Sequence, residues 1–172
     1  MSCVTTVFFS ILINGAASPF FHAERGLRQG CPLSPLLFLL VAEGLSHLLL
    51  EAHRGGNLNG IDISQHQQIT HLLFVDDVLI FCSGTVHDLN TIVEILALFS
   101  SATGMEINER KSTLTTHRLD VAEVGHATHC FPFIRATLEY GLKYLGFSLK
   151  PNNYLKKDWV WLIEKLEKRL HS

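Results

Sequence analysis

The run His71–Phe81, HLLFVDDVLIF, places Asp76 and Asp77 side by side among residues that a sheet buries. Taking even a neutral polar group out of water without a partner costs roughly 2–7 kcal/mol. Two adjacent carboxylates are therefore unsuited to a strand interior, and they force a reversal of the chain. "QITHLLFV" and "VLIFCSG" read as two paired strands, with the turn at Val75-Asp76-Asp77. Two readings of such a turn stay open. The carboxylates are simply hydrated, or they hold a divalent cation that relieves their mutual repulsion.

Other elements follow from local signals. "FFSILING" and "SPFFHAERG" form a hairpin around Asn14-Gly15, with Ala16-Ala17-Ser18 expected to lengthen the turn. "RGLRQGCPLSP" is a Gly/Pro-rich loop carrying Arg25, Arg28 and Gln29. Ser34-Pro35 is a helix start, and the helix runs from Pro35 to about Ala52, ahead of Gly55-Gly56. Leu37, Leu40, Val41, Leu45 and Leu48 make its apolar face, and Gly44 interrupts the pattern. "TVHD" at Thr85–Asp88 is a capping-box pattern with Asp in place of Glu. The helix after it carries Leu89, Ile92, Leu96 and Phe99 and ends at Gly104. "MEINERKSTLTTH" turns into a strand, and "EYGLKYLGFSL" is a strand or tight hairpin near Gly146. Residues 158–170 form an amphipathic helix capped by Asp158, with Trp159, Leu162, Leu166 and Leu170 as its stripe. The order predicts an α+β fold, an antiparallel sheet with helices on one face.

With 172 residues the chain suits one domain with a real core. Its 47% hydrophobic and 17% charged residues exclude disorder. A mean hydropathy of +0.23 leaves apolar surface for neighbours to cover. A net charge of −2 gives no global attraction for polyanions. The local exception is Lys156, Lys157, Lys165, Lys168 and Arg169, for which a solvated helix face is the plainer reading. Cys3, Cys31, Cys82 and Cys130 have no paired spacing, which points to free thiols in a reducing compartment. "HATHC" holds His126, His129 and Cys130 but lacks a second cluster at zinc-site spacing. No signal peptide is expected. "LLFLLVAEGLSHLLL", broken by Glu43 and His47, reads as too short and polar to cross a bilayer, so no membrane partner is expected.

In order, these segments resemble the palm of reverse transcriptases of non-LTR (LINE-type) retrotransposons, plant-like in character. "RGLRQGCPLSPLLF" is similar to motif B, "FVDD" (Phe74–Asp77) to motif C, "GMEINERKS" to motif D and "KYLGF" to motif E. The resemblance covers nearly the whole chain: a partial palm over residues 1–150 and the start of a thumb over 151–172. It implies RNA-directed DNA synthesis with Mg²⁺, or Mn²⁺ in its place, on an RNA template, a DNA primer and a deoxynucleotide. It implies Asp76 as a principal metal ligand and Asp77 as a second, weaker or structural one. Arg28, Gln29 and Gly30 would line the deoxynucleotide pocket. Lys111 would protonate the pyrophosphate leaving group. Tyr144, Leu145 and Gly146 would belong to the primer grip. The residues leave localisation open, the resemblance implies an intracellular, nuclear setting, and no endonuclease or ribonuclease H segment is seen.

Three departures qualify this. Val75 replaces the commoner alanine, and Cys31 stands where the group usually has aspartate. The aspartate of the family's motif A has no counterpart, since the only acidic residue before "RGLRQG" is Glu24. Metal sites of this kind act as units, so the chain is expected to be inactive alone. The alternative is a non-catalytic retrotransposon remnant or a passive nucleic-acid-binding module.

Overall fold

A computed structural model describes residues 8–22, 30–65, 67–118, 121–151 and 153–170. The chain divides into two compact units. One comprises the residues up to Ser83 together with His87–Glu106, and the other Gly84–Val86 together with Ile107 onward.

In the first unit, β1 (Phe8–Phe9), β2 (Leu12–Ile13), β3 (Ala16–Ala17) and β4 (Phe21–His22) make one long hairpin. The pairs Ile13↔Ala16 and Leu12↔Ala17 leave only Asn14-Gly15 as the turn, both at positive φ. That geometry matches the right-handed strand twist and suits Asn-Gly. Ala16 and Ala17 therefore belong to the ladder, not to a lengthened turn. Farther out the register moves by one residue, to Phe9↔Phe21 and Phe8↔His22. Ser10 and Ile11 oppose Ser18, Pro19 and Phe20, a bulge that accommodates the proline. Ser18 closes it: its Oγ accepts from the Ile11 N–H at 2.9 Å, and its carbonyl accepts from Ser10 Oγ at 2.7 Å.

Helix α1 spans Leu33–Arg54 without a break at Gly44. It starts two residues before the expected Pro35, with Pro32 as N-cap and no side-chain cap. Pro35 still lies in the first turn, where no backbone donor is lost. The helix ends at Gly55, with Gly56 left-handed at φ 75°. Its buried residues are Leu45 and Leu49; Leu40, expected on the apolar face, is 73% exposed. By length and composition α1 suffices to cross a membrane, with a mean hydropathy of 1.8 over its most apolar 18 residues. The helix is longer than the apolar run that sequence reading judged too short.

Strands β5 (Ile61–Ser64) and β6 (Gln67–Ile69) pair antiparallel with a bulge between Asp62 and Ser64. β7 (His71–Phe74) and β8 (Asp77–Ile80) form the next hairpin. Helix α2 (Val86–Thr103) follows and ends as expected at Gly104, φ 70°, whose N–H bonds the Ser100 carbonyl. Its buried residues include Leu89 and Ile92, with Ile95 in addition. With Leu45, Leu49, Leu58 and Thr70 they make the core of this unit.

The second unit departs from an all-antiparallel plan. β9 (Thr113–Thr116) and β10 (Ile134–Thr137) pair in parallel, and helix α3 (Val121–Cys130) makes the crossover between them. A parallel pair needs such a crossover. Ala127 and Phe131 are its buried apolar residues. A 3₁₀ turn, Leu138–Tyr140, leads into a hairpin of β11 (Leu142–Tyr144) and β12 (Phe147–Leu149). A second 3₁₀ turn, Lys156–Trp159, precedes helix α4 (Val160–Leu170). Asp158 anchors this entry: it accepts from the Leu155 N–H at 2.9 Å and pairs with Lys150. The expected stripe on α4 is largely open, with Leu166 53% and Leu170 83% exposed. Packing runs instead through Trp161, edge-on to Phe147 at 5.9 Å.

The fold is thus α+β, built of two-stranded ladders. Among the described residues five are antiparallel and one parallel.

Candidate active site

The hairpin β7–β8 is anchored at one end and bare at the other. At its base, Thr70 is buried and its carbonyl accepts from the Phe81 N–H at 2.7 Å. His71 bridges two elements: Nε2 lies 2.8 Å from Ser46 Oγ on α1, and Nδ1 lies 2.9 Å from Thr70 Oγ1. Burial lowers the pKa of His71, outweighing the opposing pull of Glu43. Its neutral form therefore holds the hairpin to the helix.

The exit from β8 is fixed by Asp88, the third residue of α2, which is fully buried. Its carboxylate accepts from the Asn59 backbone N–H at 3.0 Å, from Asn59 Nδ2 at 3.2 Å and from Ser83 Oγ. Ser83 in turn donates its N–H to the Asn59 carbonyl at 3.1 Å. One carboxylate in the first turn of α2 thus joins that helix to the loop after α1 and to the strand exit. Gly60 lets β5 pass close to its partner: a Cβ there would sit 2.5 Å from the Ile69 carbonyl oxygen.

At the other end of the hairpin the turn is tighter than expected. Phe74 pairs with Asp77, so Val75 and Asp76 alone make the turn and Asp77 opens β8. Val75 sits at φ 53°, a conformation normally left to glycine and strained for a β-branched residue. Asp76 and Asp77 are exposed, as are Phe74, Val75 and Val78. The carboxylates therefore carry no burial cost in this chain. Neither makes a hydrogen bond or ion pair with a described residue.

The remaining sequence-predicted residues are dispersed over the two units. Gly30, φ 79°, precedes α1 in the first unit; Arg28 and Gln29 lie outside the described residues. Lys111, in the second unit, is exposed in the turn before β9, its N–H bonded to the Asn108 carbonyl at 3.0 Å. Tyr144 ends β11, and Leu145-Gly146, at φ 50° and 84°, make the turn to β12. Asp76 and Asp77 are thus adjacent on one tip, and Tyr144 to Gly146 share another. The Asp88 node was missed by sequence reading. Its visible signal was the "TVHD" cap, but the partners are not local.

Two adjacent exposed carboxylates suit a hard cation in kind. In number they supply part of a coordination shell, and no group of three His, Cys, Asp or Glu is gathered among the described residues.

Residues 2–149 match the model of the reverse transcriptase (RNA-dependent DNA polymerase) family, and the chain belongs to that family. It is 28% identical over 177 aligned residues, 96% of its length, to a retrovirus-related Pol polyprotein from the type-1 retrotransposable element R2 of Popillia japonica. It is 48% identical over 71 residues, 41% of its length, to an uncharacterized mitochondrial protein of Arabidopsis thaliana. Within the family it is a reverse transcriptase domain of the non-LTR retrotransposon kind. The chain spans 28% of the length of the first relative and 58% of the second. Reverse transcriptases as a family use divalent metal ions, a nucleic-acid template and nucleotide substrates.

Proposed function

We propose that residues 1–150 are the palm portion of a non-LTR retrotransposon reverse transcriptase and that residues 151–172 begin its thumb. In this reading Asp76 and Asp77 are metal ligands for Mg²⁺, or for Mn²⁺ in its place. The metal would lower the barrier to attack of a primer 3′-hydroxyl on the α-phosphate of a deoxynucleotide. Arg28, Gln29 and Gly30 would contact the incoming deoxynucleotide, and Lys111 would serve as general acid toward pyrophosphate. Tyr144, Leu145 and Gly146 would hold the primer end against an RNA template.

The observation that carries the reading is the hairpin itself. Its base is held by α1 through His71, and its tip presents two carboxylates with no partner among the described residues, Asp76 on the strained two-residue turn and Asp77 opening the next strand. Two carboxylates do not fix two ions, so the 172 residues alone are expected to be inactive.

Primer extension on an RNA template tests this, using the purified chain with Mg²⁺ or Mn²⁺. Extension by the chain alone would overturn the expected inactivity. Adding a segment that carries the family's upstream aspartate should restore extension, and Asp76→Asn should abolish it. Restored extension that survives Asp76→Asn would sink the assignment of the tip.

A second reading, passive nucleic-acid binding, is favoured by the exposed Lys156, Lys157, Lys165 and Lys168. It expects binding that falls steeply with salt and is unchanged by Asp76→Asn.

A further inference from the structure

Helix α3 carries a feature that polymerase chemistry does not use. His126 and Cys130 are one helical turn apart, so they share a face. The imidazole Nε2 lies 3.5 Å from the thiol Sγ. We propose that this pair is a binding site for a thiophilic ion of the zinc class.

Zinc bonds thiolate sulfur at about 2.3 Å and imidazole nitrogen at about 2.0–2.1 Å; at a tetrahedral angle these lengths set S and N about 3.5 Å apart. That is the separation present between the two side chains. The spacing of the two donor atoms is therefore that of a shared tetrahedral ion. On binding, the thiol proton leaves to solvent and sulfur–metal and nitrogen–metal bonds form. Both side chains are half-buried, and the neighbouring Ala127 and Phe131 are buried. This apolar flank limits competition from water on one side.

His129, exposed and three residues after His126, lies on the adjoining sector of the helix. The described residues gather no third ligand, so water fills the remaining positions. The site is open and its ion exchangeable. Soft thiolate and imidazole ligands disfavour Mg²⁺, which separates it chemically from Asp76 and Asp77.

A neutral thiol–imidazole hydrogen bond has the same geometry, and the experiment distinguishes the two. Cys130 alkylation by N-ethylmaleimide is followed by peptide mass spectrometry, with Zn²⁺ or Mg²⁺ present. Zn²⁺ should slow alkylation of Cys130 several-fold, while Mg²⁺ has no effect. His126→Gln, which keeps an amide beside the thiol, should remove the protection. Protection missing from the wild-type chain would overturn the site. So would protection equal in His126→Gln, or spread equally over Cys31 and Cys82. Should His126→Gln lose helicity by circular dichroism, amide exchange supplies the second readout. Zn²⁺ should slow exchange across residues 121–130 in the wild-type chain and not in Cys130→Ser; equal slowing in both would again overturn it.

Discussion

Replacing Asp88 by alanine tests how the candidate active-site hairpin is held in place. The substitution removes the carboxylate and strands at least three donors: the Asn59 backbone N–H, Asn59 Nδ2 and Ser83 Oγ. The three are not equivalent. Asn59 and Ser83 are exposed residues, so water can replace two of the lost bonds at about 0.5–1 kcal/mol each. The backbone N–H faces the space vacated by a fully buried side chain, which costs about 1–3 kcal/mol. Loss of a carboxylate from the first turn of α2 adds about 0.3–1 kcal/mol. The sum is about 4 kcal/mol, a large part of the 5–15 kcal/mol that stabilises a typical domain. With a urea dependence of about 2 kcal/mol/M, the unfolding midpoint should fall by about 2 M.

Asp88→Asn separates geometry from charge. Its carbonyl oxygen still accepts from Asn59, and its amide can donate to the Ser83 hydroxyl. About half the loss is expected from this variant. Urea unfolding followed by far-ultraviolet circular dichroism is the assay. A midpoint within about 0.25 M of wild type for Asp88→Ala would refute the node.

The other expectations concern pH and close approach. Because His71 is held neutral by burial, its contribution is complete above the ordinary pKa of 6.5 and declines as pH falls below it. The urea midpoint should drop between about pH 7.5 and pH 5.5, and His71→Gln should flatten that difference. Asp158 also loses its contribution on acidification, but in a more acidic window. The Lys150 ammonium first, and then the Leu155 N–H, hold its carboxyl below the ordinary value of 3.8. Its contribution is present above that value and lost as pH falls through the lowered pKa, so Lys150→Met should move the loss to higher pH in an NMR titration. Gly60→Ala should destabilise by about 1–3 kcal/mol in thermal unfolding, because the added carbon meets backbone and not a movable side chain. An unchanged melting temperature would count against that contact.

Elements punctuated by glycine were the most legible in the sequence. Asn14-Gly15, Gly104 and Gly146 each mark a reversal or a cap whose local φ the residue itself supports. The hairpin at Asp76 was legible for a related reason, since two carboxylates inside an apolar run have nowhere else to go. The start of α1 was misplaced because Ser34-Pro35 and Pro32 are both valid openings, and local preference does not choose between them. Helix α3 was missed because VAEVGHATHC has a glycine at its centre and a weak apolar stripe. Without that crossover, the parallel pairing of β9 with β10 could not be anticipated. Asp88 shows the same limit: its cap motif is local, whereas Asn59 stands 29 residues away. The candidate site divides likewise. Adjacent aspartates are read from the chain directly, while any relation among Asp76, Lys111 and Tyr144 depends on long-range packing.

The separation between the base and the tip of the β7–β8 hairpin has an evolutionary consequence. Every clamp described, from Ser46 and His71 to Thr70 and Phe81, acts at the base, and the two aspartates bear none of that work. A copy of such a gene could lose either carboxylate and still yield a chain with the same packing and solubility. Selection for folding would not see the loss. This hairpin would let the carboxylates vanish first and leave the architecture as the lasting record.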